Sequence, residues 1–221
     1  MKILFAISVF DIGGAEVLAF RLAQKLHERG HEIIFFASNE KVLNKQLAEK
    51  YSPYIKSRHS LAEWPKVQFI ASRLNKLTRR LGFGDALIEK ARGRFLRSVI
   101  KSENIDLVCS HSPRSDINCK EAVKNLSVPL VMIEHGIYSH YLFKKRKHLL
   151  KPLLSATEIV AVSDFCNKQM KSYIGAAAEV TTIYNGVEIE APHSRAQVRK
   201  ELGIGNGDIA FGFAARGRPK K

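Results

Sequence analysis

The chain opens with the sequence MKILFAISV over residues 1–9, followed by FDIGGAE over residues 10–16. The opening stretch is almost continuously apolar, a pattern typical of a strand buried on both faces of a sheet. Apolar residues then recur close to helical spacing over residues 16–29, and Gly30 ends this predicted helix as a C-cap glycine. Residues 31–38 form the next apolar strand. A strand, a helix, a glycine and a strand predict a βαβ unit, from which parallel sheets are built.

The alternation of strands and helices resumes after a helical middle. Residues 41–101 read as helices, most clearly over 62–80 and 85–101. The other predicted strands lie at 106–110, 129–133, 156–163 and 180–184, and the other predicted helices at 116–126 and 164–174. The sequence therefore predicts an α/β fold, with a parallel sheet that carries helices on both faces.

The end of the chain is organised differently. Residues 192–207 are polar and include a predicted short helix at 196–202. An apolar strand is predicted at 209–214, before the basic run RGRPKK at 216–221. Such a strand either pairs at a sheet edge or opens a second domain.

The charge of the chain restricts its partners without choosing among them. With 36 Lys and Arg residues against 21 Asp and Glu residues, the formal net charge is +15. This field attracts polyanions, which include nucleic acid, anionic lipid and phosphorylated substrates.

The cysteines and the apolar runs indicate a cytoplasmic protein. Cys109, Cys119 and Cys166 are an odd number without a C-x-x-C pair, so we expect reduced, mostly buried thiols rather than disulfides or a zinc cluster. No apolar run reaches the roughly 20 residues needed to cross a bilayer, and the N terminus does not have the pattern of a cleaved signal.

Candidate functional residues follow the predicted strands. Gly13 and Gly14 come after the first strand, and His111, His135 and Asn185 come after later ones. Because the carboxyl ends of parallel strands meet at one edge of a sheet, we expect these residues to line a shared site. The paired glycines let the backbone pass close to a ligand, and the helix that follows directs its amides at a phosphate or a sugar.

Short motifs in a fixed order connect this chain with a known family. They are GGAE at 13–16, RGHE at 29–32, EHG at 134–136, AVSD at 161–164 and IYNGV at 183–187. The chain resembles the N-terminal Rossmann-like domain of retaining group-1 glycosyltransferases of the GT-B type. The sequence FGFAAR at 211–216 is similar to the first strand of that family's second domain.

The resemblance implies a two-domain enzyme, a hexosyl- or related glycosyltransferase. Such an enzyme moves a sugar from a nucleotide-diphosphate donor to an acceptor with retention of configuration, and it needs neither a catalytic metal nor a cofactor. Residues 1–190 would be the acceptor-binding domain, and residues 191–221 the linker and first strand of a largely absent nucleotide-binding domain. We therefore expect the chain alone to be an inactive fragment.

The resemblance also suggests roles near the first strand and the histidines. Gly13 and Gly14 would bring amides to the donor diphosphate, although a plain turn is the alternative. Glu16 would bind the acceptor or simply cap its helix. His135 would contact the transferred sugar, and His111 has the same placement; each could instead bond a neighbouring carbonyl.

Other site residues are predicted in the second half of the chain. Asn185 belongs first to a turn and second to the cleft. Arg216 and Lys221 resemble the basic pair that holds the donor phosphates, or they form a solvated end. Glu134 replaces the hydroxyl residue common before that histidine, and its role stays open.

Basic residues interleaved with apolar ones suggest a membrane partner. They occur at 66–80 and in the run KKRK at 144–147, which lies beside aromatic residues. Either this pattern docks on an anionic membrane surface, or it belongs to a core-packed helix with a solvated charged face. Because acceptors of the family are often lipid-linked, we expect a transferase of cell-surface polysaccharide or lipopolysaccharide assembly, peripheral on the inner face of the membrane.

Other classes of protein fit the sequence less well. An NAD-dependent dehydrogenase needs G-x-G-x-x-G, and the third glycine is missing after Gly14. A non-enzymatic basic domain that binds nucleic acid or an anionic membrane is the main alternative, but the chain has no recognised nucleic-acid motif, so no nucleic acid is expected. A sugar-nucleotide epimerase shares the GT-B layout and would consume donor without an acceptor.

Overall fold

A computed structural model describes residues 1–39, 44–80, 85–136, 156–175, 179–187, 194–205 and 207–212 of the protein. The chain divides into two compact units, Met1–Asn185 and Gly186–Lys221. The first unit contains the sheet. The predicted boundary at residue 190, and the assignment of residues 191–221 to the start of a second domain, stay predictions.

The described residues of the first unit build one parallel sheet. Its strands are β1 Lys2–Ile7, β2 Glu32–Ala37, β3 Ser57–His59, β4 Leu107–Ser110, β5 Leu130–Glu134, β6 Glu158–Ala161 and β7 Val180–Thr182. Their order across the sheet is β3-β2-β1-β4-β5-β6-β7, and every neighbouring pair is parallel. The predicted α/β class, with a Rossmann-like parallel sheet, is confirmed.

Helices connect the strands. They are α1 Gly14–Glu28, α2 Lys45–Tyr51, α3 Pro65–Arg80, α4 Ala86–Ser102, α5 Pro113–Val123, α6 Asp164–Ile174 and, in the second unit, α7 Arg195–Glu201. Short 3₁₀ turns lie at Ser52–Tyr54 and Leu61–Glu63.

The sheet is covered on both faces, as predicted. Alternate residues of β1 point to opposite faces, so Leu4 joins a core with α3, α4, α5 and α6, and Phe5 joins a second core with α1 and α2. In the second core the ring of Phe20 stacks on Phe35 at 4.8 Å and on Tyr51 at 5.1 Å. Complete burial of side chains of this size contributes about 1.5–3 kcal/mol each, which makes this packing a main source of stability.

The end of α1 confirms the predicted role of Gly30. Gly30 has a φ of +84°, and the amides of Gly30 and His31 donate to the carbonyls of His27 and Leu26. These two bonds form the Schellman arrangement that satisfies the last carbonyls of a helix. The left-handed turn then directs the chain into β2.

The prediction of helices throughout residues 41–101 is wrong at β3. Ser57–His59 pairs with Ile34, Phe35 and Phe36 of β2 and forms the edge of the sheet. This strand has only 3 residues and none of them is apolar, so no hydrophobic periodicity marks it. Short polar strands are typical of sheet edges, where they discourage pairing with other chains.

The predicted strand at 209–214 is also wrong over its described part. Residues 209–212 form no strand, and the side chains of Ile209 and Phe211 are 83% and 95% exposed. An apolar run becomes a strand only when a neighbouring strand takes up its backbone hydrogen bonds. In the described residues of the second unit, α7 is confirmed, and Ser194 caps it by accepting a hydrogen bond from the amide of Gln197 at 3.1 Å.

Candidate functional site

The strand order creates a crevice between β1 and β4. From β1 the chain continues to β2 and β3 on one side, and from β4 it continues to β5, β6 and β7 on the other. The loops after β1 and β4 therefore diverge at their carboxyl ends. In open parallel sheets this point of divergence is where ligands bind.

A group of serines connects the two loops of the crevice. Ser8, which follows β1, donates from its Oγ to the Oγ of Ser112 at 2.7 Å. Ser112 also caps α5 and accepts from the amide of Ser115 at 3.3 Å, while Pro113 occupies the first turn. Serine at the cap followed by proline is a common helix start, so α5 begins at Pro113, earlier than predicted.

Two histidines lie together at this edge of the sheet. Nδ1 of His111 is 3.2 Å from Nε2 of His135, and the two rings stack with centroids 5.4 Å apart. The ring of His111 also stacks on Phe5 of β1, with centroids 5.4 Å apart, and the amide of His111 donates to the carbonyl of Ala6 at 2.9 Å. The structure thus brings together the two histidines that the sequence placed after separate strands.

Both imidazoles are neutral at pH 7. Burial, with a smaller contribution from the charge of His135, lowers the pKa of His111 to about 3. Burial also lowers the pKa of His135 to about 4. The pair therefore acts through hydrogen bonds, and it adds no positive charge that could bind a diphosphate.

The hydrogen bond between the two rings couples their tautomers. Either Nδ1 of His111 donates and Nε2 of His135 accepts, or the reverse. In the first case Nδ1 of His135 carries a proton and can donate to a ligand; in the second it can accept. Nε2 of His111 is buried without a hydrogen-bond partner among the described residues.

The glycine pair begins α1, and Glu16 folds back over that helix start. Gly13 is the N-cap residue and has no side chain to accept a bond there. A Cβ at Gly13 would collide with Oε2 of Glu16, whereas a Cβ at Gly14 would meet no atom within 4 Å. The carboxylate of Glu16 thus lies at the positive end of the helix dipole, where an acid is favourable and an incoming anion would also bind.

A buried polar network behind the crevice was missed by the sequence analysis. Asn118 of α5 accepts from Ser38 at 2.8 Å and donates to Oε2 of Glu89 at 2.6 Å. Oε1 of Glu89 lies 3.1 Å from Arg92 and 3.5 Å from Arg114. This network ties the end of β2 to α4 and α5, and no local motif in the sequence could have identified it.

The remaining predicted site residues are more distant or outside the described part. Asn185 is exposed and follows β7, which β5 and β6 separate from β4. At strand spacings of about 4.8 Å, this places β7 roughly 14 Å from β4. Arg216, Lys221 and the basic run at 144–147 lie outside the described residues.

The predicted burial of the cysteines is confirmed. All three, Cys109, Cys119 and Cys166, are free and buried. Burial raises the pKa of the Cys109 thiol to about 12, so it stays protonated.

Within the described ranges, no group of three or more His, Cys, Asp or Glu side chains could hold a metal ion. None of the described helices is long and apolar enough to cross a membrane.

Comparison with known structures identifies the architecture. The chain is similar to HepE from Anabaena in complex with UDP and glucose, with 21% identity, a TM-score of 0.60, and coverage of 92% of this chain and 50% of that one. It is similar to the lipopolysaccharide outer core galactosyltransferase WaaB, with 18% identity, a TM-score of 0.59, and coverage of 88% and 50%. Sucrose-phosphate synthase from Thermosynechococcus elongatus matches at 12% identity and a TM-score of 0.65, over 92% and 53%.

These matches share one fold at low identity. The chain spans about half the length of each solved structure, and it has the fold of the N-terminal half of GT-B glycosyltransferases. No curated protein sequence gives a significant match. The model of Glycosyltransferase Family 4 matches residues 12–191, and the chain therefore belongs to that family.

Proposed function

We propose that this chain is the acceptor-binding part of a retaining glycosyltransferase. The enzyme transfers a hexose or related sugar from a nucleotide-diphosphate donor to a cell-surface glycan or lipid-linked acceptor. The observation that carries the proposal is the histidine pair that follows β4 and β5, at the same edge of the sheet as the loop between β1 and α1. Polar hydrogen-bonding groups at such a crevice suit a carbohydrate.

The family and the similar solved structures support a nucleotide-sugar donor. Membership in a glycosyltransferase family indicates sugar transfer. HepE, which shares the fold, has been crystallised with UDP-glucose and with UDP. We extend this to a nucleotide-diphosphate sugar donor for the present protein.

His135 would contact the sugar that is transferred. Its neutral ring can donate or accept at Nδ1, because Nε2 is engaged by His111. A hydrogen bond from Nδ1 to a sugar hydroxyl orients the ring and can strengthen as charge develops near the anomeric carbon. His111 would hold that imidazole in place and set its tautomer.

The loop before α1 would bind at the other wall of the crevice. The amides of Gly13 and Gly14 would approach the donor diphosphate, with the helix dipole contributing about 0.3–1 kcal/mol. Since the Glu16 carboxylate now lies at this helix start, it would turn toward an acceptor hydroxyl when the diphosphate binds. We assign the further donor contacts to Arg216 and Lys221 and a cleft contact to Asn185.

Retention requires no carboxylate nucleophile in this scheme. The leaving phosphate itself would help to remove the proton of the acceptor hydroxyl, so the chain supplies orientation and hydrogen bonds. A lipid-linked acceptor would place the protein at the inner face of the membrane.

The proposal is tested by assaying full-length protein against a panel of nucleotide-diphosphate sugars. We expect release of the nucleoside diphosphate that depends on one donor and increases with acceptor. NMR of the product's anomeric proton would show that the transferred sugar keeps the anomeric configuration that it has in the donor. Salt-dependent retention on DNA with no effect of any sugar nucleotide would instead support the non-enzymatic alternative.

A further inference from the structure

One helix presents an apolar stripe to solvent. Of the residues in α3, Ala71 and Asn75 are the buried ones. On the outer side, the exposed fractions are 41% for Val67, 57% for Ile70, 49% for Leu74 and 54% for Leu77. Their spacing of three, four and three residues aligns them along the helix. Exposed apolar rows of this kind mark binding surfaces.

Positive charge accompanies the stripe. Its cations are Lys66, Arg73, Lys76 and Arg80, and the helix contains no acid. None of these four side chains forms an ion pair with another described residue. By contrast Arg79 pairs with Asp85 at 2.5 Å, so its charge is compensated.

The aromatic residue of this face reinforces its mixed character. Phe69 is 59% exposed, and the guanidinium of Arg73 lies 4.7 Å over its ring. The face therefore combines apolar groups with long cationic chains that can extend sideways to water. An ordinary core-packed helix would bury the apolar row instead.

We propose that this outer face of α3 docks on the surface of an anionic lipid bilayer. The apolar row enters the boundary between headgroups and acyl chains, and the four cations contact anionic headgroups. A second copy of the chain fits the face poorly, because the uncompensated cations of both copies would oppose each other. The evidence for this surface is the exposure of the apolar row of α3 and the positive charge of the four cations. Only the use of the surface in reaching a lipid-linked acceptor rests on the proposed function.

Vesicle co-sedimentation tests the surface. We expect full-length protein to bind vesicles of phosphatidylcholine and phosphatidylglycerol at least 10-fold more strongly than vesicles of phosphatidylcholine alone. The triple variant K66E/R73E/K76E should lose about 100-fold or more, since each charge near the surface contributes about fivefold. The matched control K124E/K168E/K171E changes the net charge equally on exposed residues elsewhere and should retain most of the binding.

The apolar row is tested separately with I70S/L77S. This variant should reduce vesicle binding at least 10-fold, with circular dichroism and thermal unfolding unchanged. Equal loss in the charge control, or binding unaffected by both α3 variants, would overturn the proposal. Sedimentation equilibrium that shows a dimer abolished by I70S/L77S, without vesicle binding, would overturn it in favour of a second copy. Vesicle binding without any donor turnover would leave the surface intact and remove only the transferase function.

Discussion

Nδ1 of His111 and Nε2 of His135 lie 3.2 Å apart although 24 positions separate them in the chain. Each residue directly follows the strand that carries it, and the pairing of β4 with β5 brings the two together. Because burial keeps both rings neutral, the pair is a hydrogen-bonding unit whose outer atom is Nδ1 of His135.

Removing the outer imidazole should impair sugar transfer. We expect His135→Ala to lower kcat for donor turnover about 100-fold, because one hydrogen bond that strengthens in the transition state is lost. The control is His27→Ala, an exposed histidine in the last turn of α1. That helix end faces the amino ends of the strands, on the side of the sheet away from the candidate site. The activity of His27→Ala should therefore equal that of wild type. An unchanged kcat in His135→Ala would remove this residue from the mechanism.

The buried imidazole of His111 should make folding sensitive to acid. Its pKa is about 3 in the folded chain, against 6.5 as the ordinary value. Between these two pH values the unfolded chain binds more protons than the folded chain. The contribution of His111 to the free energy of unfolding is therefore fully present above about pH 6.5, and it decreases as the pH falls toward 3. One such group contributes a slope of about 1.4 kcal/mol per pH unit in that range.

His111→Phe isolates this contribution. A phenyl ring keeps the stack on Phe5 and removes the buried Nε2 that lacks a described partner. We expect its free energy of unfolding at pH 7.5 to lie within about 1 kcal/mol of wild type. Urea denaturation at pH 7.5, 6 and 5 should show that the free energy of unfolding decreases less with falling pH in the variant than in wild type. Parallel pH profiles for the two proteins would contradict the assignment.

The contact between Gly13 and Glu16 predicts a coupled pair. Gly13→Ala should push the Glu16 carboxylate from the helix start and lower stability by about 0.3–1 kcal/mol. In a Glu16→Ala background the same change should cost almost nothing, since the collision is gone. Thermal unfolding of the four proteins of this double-mutant cycle measures the coupling. Additive effects would show that the two residues do not interact.

The packing of α4 on α5 depends on Gly93. A Cβ there would lie 2.6 Å from Cβ of Glu121 and 3.2 Å from the carbonyl of Asn118. Since these atoms belong to or adjoin the backbone, Gly93→Ala should separate the helices and cost about 1–3 kcal/mol. Gly14→Ala is the control, because its Cβ would meet open space. Chemical denaturation compares the two, and equal stabilities would contradict the prediction.

The sequence predicted those parts of the site that follow strands recognisable by an apolar run. His111 and His135 stand after apolar runs, so the edge they share could be inferred from their positions alone. The contact between Ser8 and Ser112, and the network through Asn118, could not be inferred, because each joins residues distant in sequence. The roles of Asn185, Arg216 and Lys221 stay predictions.

The sequence by itself determined the local elements, because β1, α1 and β2 each carry their own signal: a continuous apolar run, a helical period and Gly30 at a left-handed turn. Only the tertiary structure decided that the three polar residues of β3 form a strand and that residues 209–212 do not. Strand formation there depends on the partner that accepts the backbone hydrogen bonds, and no property of the segment reports it. The exposure of α3 was likewise decided by the tertiary structure. The apolar row of this helix resembles that of any amphipathic helix, and only the packing of the neighbouring elements shows that the row is exposed to water.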